Sequence, residues 1–228
     1  MILTEDKAKE ILKEHGIPVP KEELAENEEK AIEIAKKIGF PVALKLISPD
    51  ILHRSDAKAI MLNLKSEEEL RKGFKEIIKN AKNFDPYARI HGVLVQEMLP
   101  QGREVIVGLI KDPQFGHVVM FGLGGIFVEI LKDVAFRVTP IDKKEALKMM
   151  KEIKGYKILE GVRGISPSDI NAIADVIVKV SELGVKMPEI KELDINPLFA
   201  YEKGAVAVDC RIILQRNKQE SSYPSGLR

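Results

Sequence analysis

One break constrains the fold more than any other feature of the chain. Leu99-Pro100-Gln101-Gly102 interrupts a dense succession of apolar-patterned segments. Proline followed so closely by glycine continues neither a helix nor a central strand. The 228 residues are enough for one domain or two small ones, and a hinge at this break divides them into two lobes. Residues 20–98 read as α-β-β-α-β. A helix begins near Asn27, carries Ala31, Ile34, Ala35 and Ile38 on one stripe, and stops at Gly39. Strands follow at Val42–Ile47 and Ile60–Leu64, the second alternating with period two. The capping box Ser66-Glu67-Glu68-Glu69 opens a helix bearing Leu70, Phe74, Ile77, Ile78 and Ala81. A strand at Val93–Met98 leads into the hinge.

Beyond the hinge, strands are expected at Glu104–Ile110, His117–Phe121, Ile126–Leu131 and Val134–Val138, and helices at Lys143–Lys154 and Pro167–Leu183. Ser166 and Pro167 suit the N-cap and first helical position of the latter. A hairpin of Glu192–Tyr201 with Ala205–Leu214 ends the second lobe, residues 99–214. A further helix, capped by Thr4 and ended by Gly16, starts the chain. Residues 215–228 read as a loose polar tail. The fold class is therefore α+β (α/β).

Charge narrows the partners. Lys and Arg number 36 against 35 Asp and Glu, a formal net charge of +1, which argues against nucleic acid as the main partner. The lone Cys210 excludes an intrachain disulfide and a cysteine zinc cluster. The first residues lack a basic segment followed by an apolar run, and no apolar stretch is long enough for a bilayer, so no membrane association and a cytoplasmic location are expected. Abundant Lys and Glu with no Trp is compatible with a thermophilic source.

Five groups of residues bear on chemistry. A two-residue turn at Glu202-Lys203 places Asn196 opposite Asp209 and Asp194 opposite Arg211, so Asp194, Asn196 and Asp209 share one face. Three oxygen donors there suit magnesium completed by substrate phosphates; a one-residue slip would instead leave charges facing water. Lys45 lies in the apolar strand Val42–Ile47, where a lysine needs a partner or a phosphate, unless the strand is an edge from which it snorkels to water. His53, in Ser48-Pro49-Asp50-Ile51-Leu52-His53-Arg54-Ser55-Asp56, can carry a phosphoryl group, act as base or bind metal, or be a plain surface residue. His15, His91 and His117 read as surface residues. Gly122, Gly124 and Gly125 form a glycine run whose N–H groups can approach phosphate. It is neither a Walker loop nor a dinucleotide fingerprint, and alone it reads as a tight turn. Glu97 and Glu104 flank the hinge, placed to bond an adenine amine or ribose hydroxyls. Together these residues outline a nucleotide cleft between lobes.

The same residues resemble the ATP-grasp family, and within it the β subunits of archaeal ADP-forming acetyl-CoA synthetases (acetate–CoA ligases). The resemblance covers the chain to about Leu214. It rests on Ser48-Pro49 with His53-Arg54-Ser55-Asp56, Asp112-Pro113-Gln114-Phe115-Gly116, Phe121-Gly122-Leu123-Gly124-Gly125-Ile126-Phe127-Val128-Glu129, Arg163-Gly164, and Glu192-Leu193-Asp194-Ile195-Asn196-Pro197. It implies an ATP-grasp fold with residues 1–19 joining the larger lobe. It also implies a subunit that passes a phosphoryl group between a histidine and ADP or ATP, so that acyl-CoA, ADP and phosphate give acid, CoA and ATP. His53 would be the phosphohistidine, oriented by Asp194. Lys45, with Gly122, Gly124 and Gly125, would meet the nucleotide phosphates; Glu97, Met98 and Glu104 would meet the adenosine end. Asn196 and Asp209 would hold magnesium. The partner would be an α subunit carrying the CoA and acyl sites, in an α2β2 assembly.

Two departures stand out. Lys58 and Ala59 replace a common Gly-Gly, and Arg54 replaces a frequent lysine. The first leaves open a paralogue or a regulatory nucleotide-binding subunit. A free-standing carboxylate–amine ligase would use the same cleft with His53 incidental. No CoA site is legible in the chain.

Overall fold

The structure is a computed structural model describing residues 1–51, 53–125, 132–162, 164 and 166–215. The expected strand Ile126–Leu131, Arg163 of the Arg163-Gly164 segment, and the tail from residue 216 lie outside the described residues. Gln215, at the head of that tail, donates its N–H to the Glu189 carbonyl at 2.8 Å.

The first half builds a four-stranded antiparallel sheet. Helix α1 (Glu5–Glu14) precedes β1 (Glu22–Ala25), α2 (Glu28–Ile38), β2 (Val42–Ile47), β3 (Ile60–Leu64), α3 (Glu67–Phe84) and β4 (Gly92–Glu97). The strand order is β1-β4-β2-β3. Asn27 caps α2 by accepting the Lys30 N–H at 2.9 Å. Ser66 accepts the Glu69 N–H at 3.2 Å, while the Glu69 carboxylate reaches back to the Lys65 N–H at 2.7 Å. The expected box thus forms, with its return bond one residue earlier than usual. The stripes of α2 and α3 pack Ile34, Leu70 and Ile77 onto Leu44, Leu46 and Val95. Strand β1 was not expected: Ala25 alone of its four residues is buried, so it shows little periodicity.

The second half builds a six-stranded antiparallel sheet. Strands β5 (Arg103–Asp112), β6 (Gly116–Leu123) and β7 (Val134–Val138) precede α4 (Lys143–Glu152), α5 (Tyr156–Leu159), α6 (Ile170–Lys186), β8 (Ile190–Ala200), β9 (Ala205–Ala207) and β10 (Cys210–Leu214). The order is β10-β8-β5-β6-β7, with β9 also on β8. Its core joins Leu109, Phe121 and Leu193 to Met149 of α4, Ile177 of α6 and Leu12 of α1. Ile2 bridges Ile213, and the Leu3 N–H donates to the Ile212 carbonyl at 2.9 Å, which fastens the chain start to this sheet.

Three local expectations are corrected. Helix α6 starts at Ile170, not Pro167, because Asp169 is its cap. One Asp169 oxygen accepts the Ala172 N–H at 3.0 Å and the other the Gly204 N–H at 2.9 Å. Ser166 instead offers its carbonyl to Arg103 at 2.7 Å. Thr4 stands at the cap of α1 without a capping side-chain bond. His117 is buried in β6, its Nε2 2.7 Å from the Ile190 carbonyl, and is a core histidine rather than a surface one.

The hairpin register is the expected one. Tyr201 N–H meets the Gly204 carbonyl at 3.0 Å, Asn196 N–H meets the Asp209 carbonyl at 3.2 Å, and Arg211 pairs with Asp194. The second arm is split into β9 and β10, and Val208-Asp209 lies in the gap. The hinge is fastened to the same hairpin: Tyr201 Oη donates to the Pro100 carbonyl at 2.8 Å. A Cβ on Gly102 would come within 2.9 Å of the Phe199 Cβ.

The structure also explains one departure from Gly-Gly. Lys58 is left-handed, with φ of 48°, a conformation glycine adopts freely and other residues at a cost. Ala59 is fully buried in the first core. Lys58→Gly is therefore expected to stabilise the chain by about 1 kcal/mol, and Ala59→Gly to destabilise it by about 1 kcal/mol. Urea midpoints at unchanged slope would check both.

Candidate functional site

A cleft of about 600 Å³ opens between the two sheets. The end of β2 and the turn after it supply Leu46, Ile47, Ser48, Ile51, His53 and Arg54; the start of α1 supplies Thr4 and Glu5; the hairpin supplies Asp194, Asn196, Asp209 and Arg211. The histidine and all three hairpin oxygen donors singled out in the sequence thus line one cavity. His53 and Asn196 are exposed, whereas Asp194 and Asp209 are half-buried.

Burial pushes the Asp194 carboxyl above its ordinary range, with Arg211 opposing. Burial also raises Asp209, and the neighbouring Glu5 charge adds to this against Lys45 and Arg54. Among the described residues no three His, Cys, Asp or Glu side chains are gathered to hold a metal by themselves. The donors do suit a hard cation: carboxylate and amide oxygens that leave positions for phosphates.

Lys45 does not snorkel. Strand β2 lies between β4 and β3, and the side chain is buried. Its Nζ donates to Glu5 Oε1 at 2.8 Å and to the Val208 carbonyl at 3.2 Å. Burial and the nearby Lys9 push its pKa down; Glu5 and Asp209 pull the other way. The lysine therefore joins the small sheet to an acid of α1 and a carbonyl of the hairpin, and it is not among the residues that line the cleft.

Glu5 is the group that sequence reasoning missed. It is buried in the first turn of α1. Lys9 lies 2.7 Å and Lys45 2.8 Å from its Oε1, and Arg54 Nη1 binds its Oε2. Lys9 reaches on to Glu22 at 2.8 Å and Gln96 at 3.4 Å. Arg54 reaches on to Asp209 Oδ2 at 3.1 Å. Burial acts to raise the Glu5 pKa, but Lys45, Lys9 and Arg54 together hold it well below the carboxylate range. Locally, Glu5 reads only as an acid at a helix start. The one signal was indirect: a lysine in a central strand demands a carboxylate from elsewhere.

The glycine run is mostly structural. Gly122 lies within β6, paired with Ile106 and Val134, and a Cβ there would come within 2.8 Å of Val134 Cγ1. Gly124 spends its N–H on the Glu104 carbonyl at 2.8 Å. Gly125 is left-handed, φ 61°, against the Glu104 carboxylate. The expected cradle of free N–H groups therefore does not form at Gly122 or Gly124, because the ladder and Glu104 take them. At the hinge, Glu97 accepts the Lys21 N–H at 2.7 Å, Met98 donates its N–H to the Pro41 carbonyl at 3.2 Å, and Glu104 accepts from Gln101 at 3.0 Å.

Two antiparallel sheets that enclose a polar cleft, joined by the segment between Glu97 and Arg103, define the class. The chain belongs to the ATP-grasp family: residues 1–214 match its ATP-grasp domain. Among curated relatives, acetate–CoA ligase (ADP-forming) I subunit beta of Pyrococcus furiosus is 59% identical over 212 residues, 93% of this chain and 91% of that protein. A solved structure of acetyl-coenzyme A synthetase 1 from Ca. Korarchaeum cryptofilum, described as in complex with coenzyme A and Ca-AMPCP, superposes with a TM-score of 0.92. It is 50% identical, over 94% of this chain and 93% of that one. Another from the same source is described with Mg-AMPPCP and a phosphohistidine segment pointing towards the nucleotide binding site; it superposes at 0.84 with 47% identity, over 94% and 93%.

Removing one partner from a buried charge cluster costs about 3–5 kcal/mol. Glu5→Gln leaves Lys45 without its carboxylate, so a loss of this size is expected in chemical denaturation near neutral pH. A depressed folded pKa gives stability that is present above the ordinary carboxylate pKa and is lost as pH falls. The gap between wild type and Glu5→Gln is therefore expected to shrink below about pH 4.

Proposed function

We propose that this chain is the nucleotide-binding β subunit of an ADP-forming acyl-CoA synthetase of the acetate–CoA ligase type. The observation that carries the reading is that His53 shares a cleft with Asp194, Asn196 and Asp209. An α subunit, which holds the CoA and acyl sites, converts acyl-CoA and phosphate to an acyl phosphate. The phosphoryl group then passes through a histidine of that subunit to His53, the assembly being α2β2. A terminal β-phosphate oxygen of ADP attacks phosphorus, the N–P bond breaks, and the ring nitrogen regains its lone pair as ATP leaves.

This chain's residues do little covalent work beyond His53, since phosphoryl transfer rests on position and charge. Asp194 orients the imidazole and stabilises its phosphorylated form. Lys45 exchanges the Glu5 oxygen for nucleotide phosphate. Glu97, Met98 and Glu104 hold adenosine at the hinge, with Gly122, Gly124 and Gly125 shaping the wall beside it. Asn196 and Asp209 would hold magnesium, which neutralises phosphate charge when bound. No described helix is long and apolar enough to cross a membrane, and we take the enzyme to act in the cytoplasm. Charge pairs one turn apart, Lys72 with Glu68 and Lys186 with Glu182, fit a thermophilic source.

A regulatory subunit without chemistry drew its support from Lys58 and Ala59. Lys58 takes the left-handed turn a glycine would, which removes the geometric reason for that reading.

With the cognate α subunit present, His53→Ala is expected to abolish ATP formation from acyl-CoA, ADP and phosphate while leaving ADP binding within about twofold. Asp194→Asn is expected to lower kcat by about a hundredfold or more. Coupled turnover assays with parallel calorimetry check both. Full turnover in His53→Ala overturns the carrier role.

A further inference from the structure

The geometry points to a second copy of this chain as the partner of β7. The two β7 strands pair antiparallel about a two-fold axis at Phe136 and join the large sheets of the two copies. The inference goes beyond the phosphoryl relay, and it takes from the reading above only that two copies share one assembly.

The sheet edges are not treated alike. An edge presents unpaired N–H and C=O groups, and proteins cover, shorten, charge or bend it. On the large sheet, the β10 edge is covered by the chain start: Ile2 bridges Ile213, and Leu214 donates its N–H to the Met1 carbonyl at 2.8 Å. Beside it, Ala207 of β9 donates to the Pro18 carbonyl at 2.8 Å. On the small sheet, β1 has only four residues and opens with Glu22-Glu23. Strand β3 is bent by the left-handed Asn63, φ 61°, and by a register shift against β2. Strand β7 carries none of these devices. It runs Val134-Ala135-Phe136-Arg137-Val138 in unbroken register with β6, and among the described residues no strand pairs with its outer side.

The register decides which groups face out. Thr139 donates its N–H to the His117 carbonyl at 2.9 Å. In an antiparallel ladder alternate residues bond to the same neighbour, so Arg137 and Ala135 also turn their backbone groups to β6. Val134, Phe136 and Val138 turn theirs to the open edge. Ala135 belongs to the helix-covered core, so the side chains of those three residues lie on the opposite face of the sheet. There Phe136 is 47% and Val138 49% exposed. Met120 and Val118 stand beside them on β6, which extends the apolar surface inward from the edge.

The edge complements itself. With Phe136 opposite the Phe136 of a second copy, Val134 falls opposite Val138 and Ala135 opposite Arg137, so no like charges meet. Arg137, the one charged residue of the strand, bonds Glu145 at 2.8 Å and Glu152 at 3.0 Å in its own chain. The facing pairs on the outer side are aromatic or β-branched, the kinds that stabilise a ladder. A two-fold contact of this kind uses the edge of both copies at once and closes on itself.

Phe136→Cys tests the axis directly, since the native Cys210 is buried. A hydrogen-bonded pair brings its Cα atoms to about 5.5 Å, within reach of a disulfide. In the assembly with the α subunit, mild oxidation is expected to link two Phe136→Cys chains to each other, read as a disulfide-joined peptide by mass spectrometry. Val134→Cys and Val138→Cys each stand about 13 Å or more from their own copies, so they are expected to link when mixed and not singly. Phe136→Lys sets like charges face to face, and it is expected to weaken the contact between copies on the order of tenfold or more in sedimentation across a dilution series. An assembly that holds two copies yet forms no Phe136→Cys link overturns the inference, as does a Phe136→Lys assembly that dissociates as wild type does. Fast hydrogen exchange of the Phe136 and Val138 amides in the wild-type assembly overturns it too. Slow exchange of those amides without the link shows that the α subunit or another part of the chain covers the edge, and overturns the second copy as its partner. If the α2β2 reading itself fails, the full chain alone at high concentration decides: the same link keeps the inference, and its absence overturns it.

Discussion

The carboxylate of Glu5 is the point on which the arrangement turns. Three cations from three different segments meet at it: Lys9 on its own helix, Lys45 from the middle of the small sheet, and Arg54 from the turn beside His53. The cluster closes with Glu22 and Asp209, so three acids face three bases. A buried set of this kind contributes little net stability over an apolar core, but it is unforgiving of mispairing. It therefore specifies placement. Lys45 cannot be buried unless α1 is seated, and α1 is seated because Ala8 and Leu12 belong to the core of the other sheet.

That dependency links the chain's first residues to its final strand. Ile2 and Leu3 are fixed on β10, which carries Glu5 to the wall of the cleft opposite Lys45. The same strand pair sets Asp194, Asn196 and Asp209 along the cleft by register. His53 then needs only a turn with fixed ends to face them. The chemistry of the site is thus assembled from both sheets, and the charge cluster is where the two meet.

Much of this was legible in the sequence. Strands β2, β3 and β7 have the expected bounds because their apolar runs end at turn residues. The hairpin register followed from the length of one turn, and with it the shared face of Asp194, Asn196 and Asp209. What was not legible has physical reasons. Glu5 looks like any acid in a first helical turn, and its role comes chiefly from Lys45 and Arg54, 40 and 49 positions away. Strand β1 has too little buried surface for a period. The start of α6 went to Asp169 because a distant turn at Gly204 uses the same carboxylate. The glycine run read by itself as a tight turn and by resemblance as a phosphate contact, yet Gly122 is needed by the ladder and Gly124 by Glu104, contacts that no local pattern encodes.

The central claim is that a phosphoryl group rests on His53 between the partner subunit and ADP. The most direct measurement is to treat the assembled enzyme with ATP and magnesium in the absence of acid and CoA, and to map acid-labile, base-stable phosphate by mass spectrometry at neutral pH. Phosphate is expected on the His53 peptide of this chain, lost on adding ADP. A fully active assembly that carries no phosphate at His53, only on its partner, would contradict it.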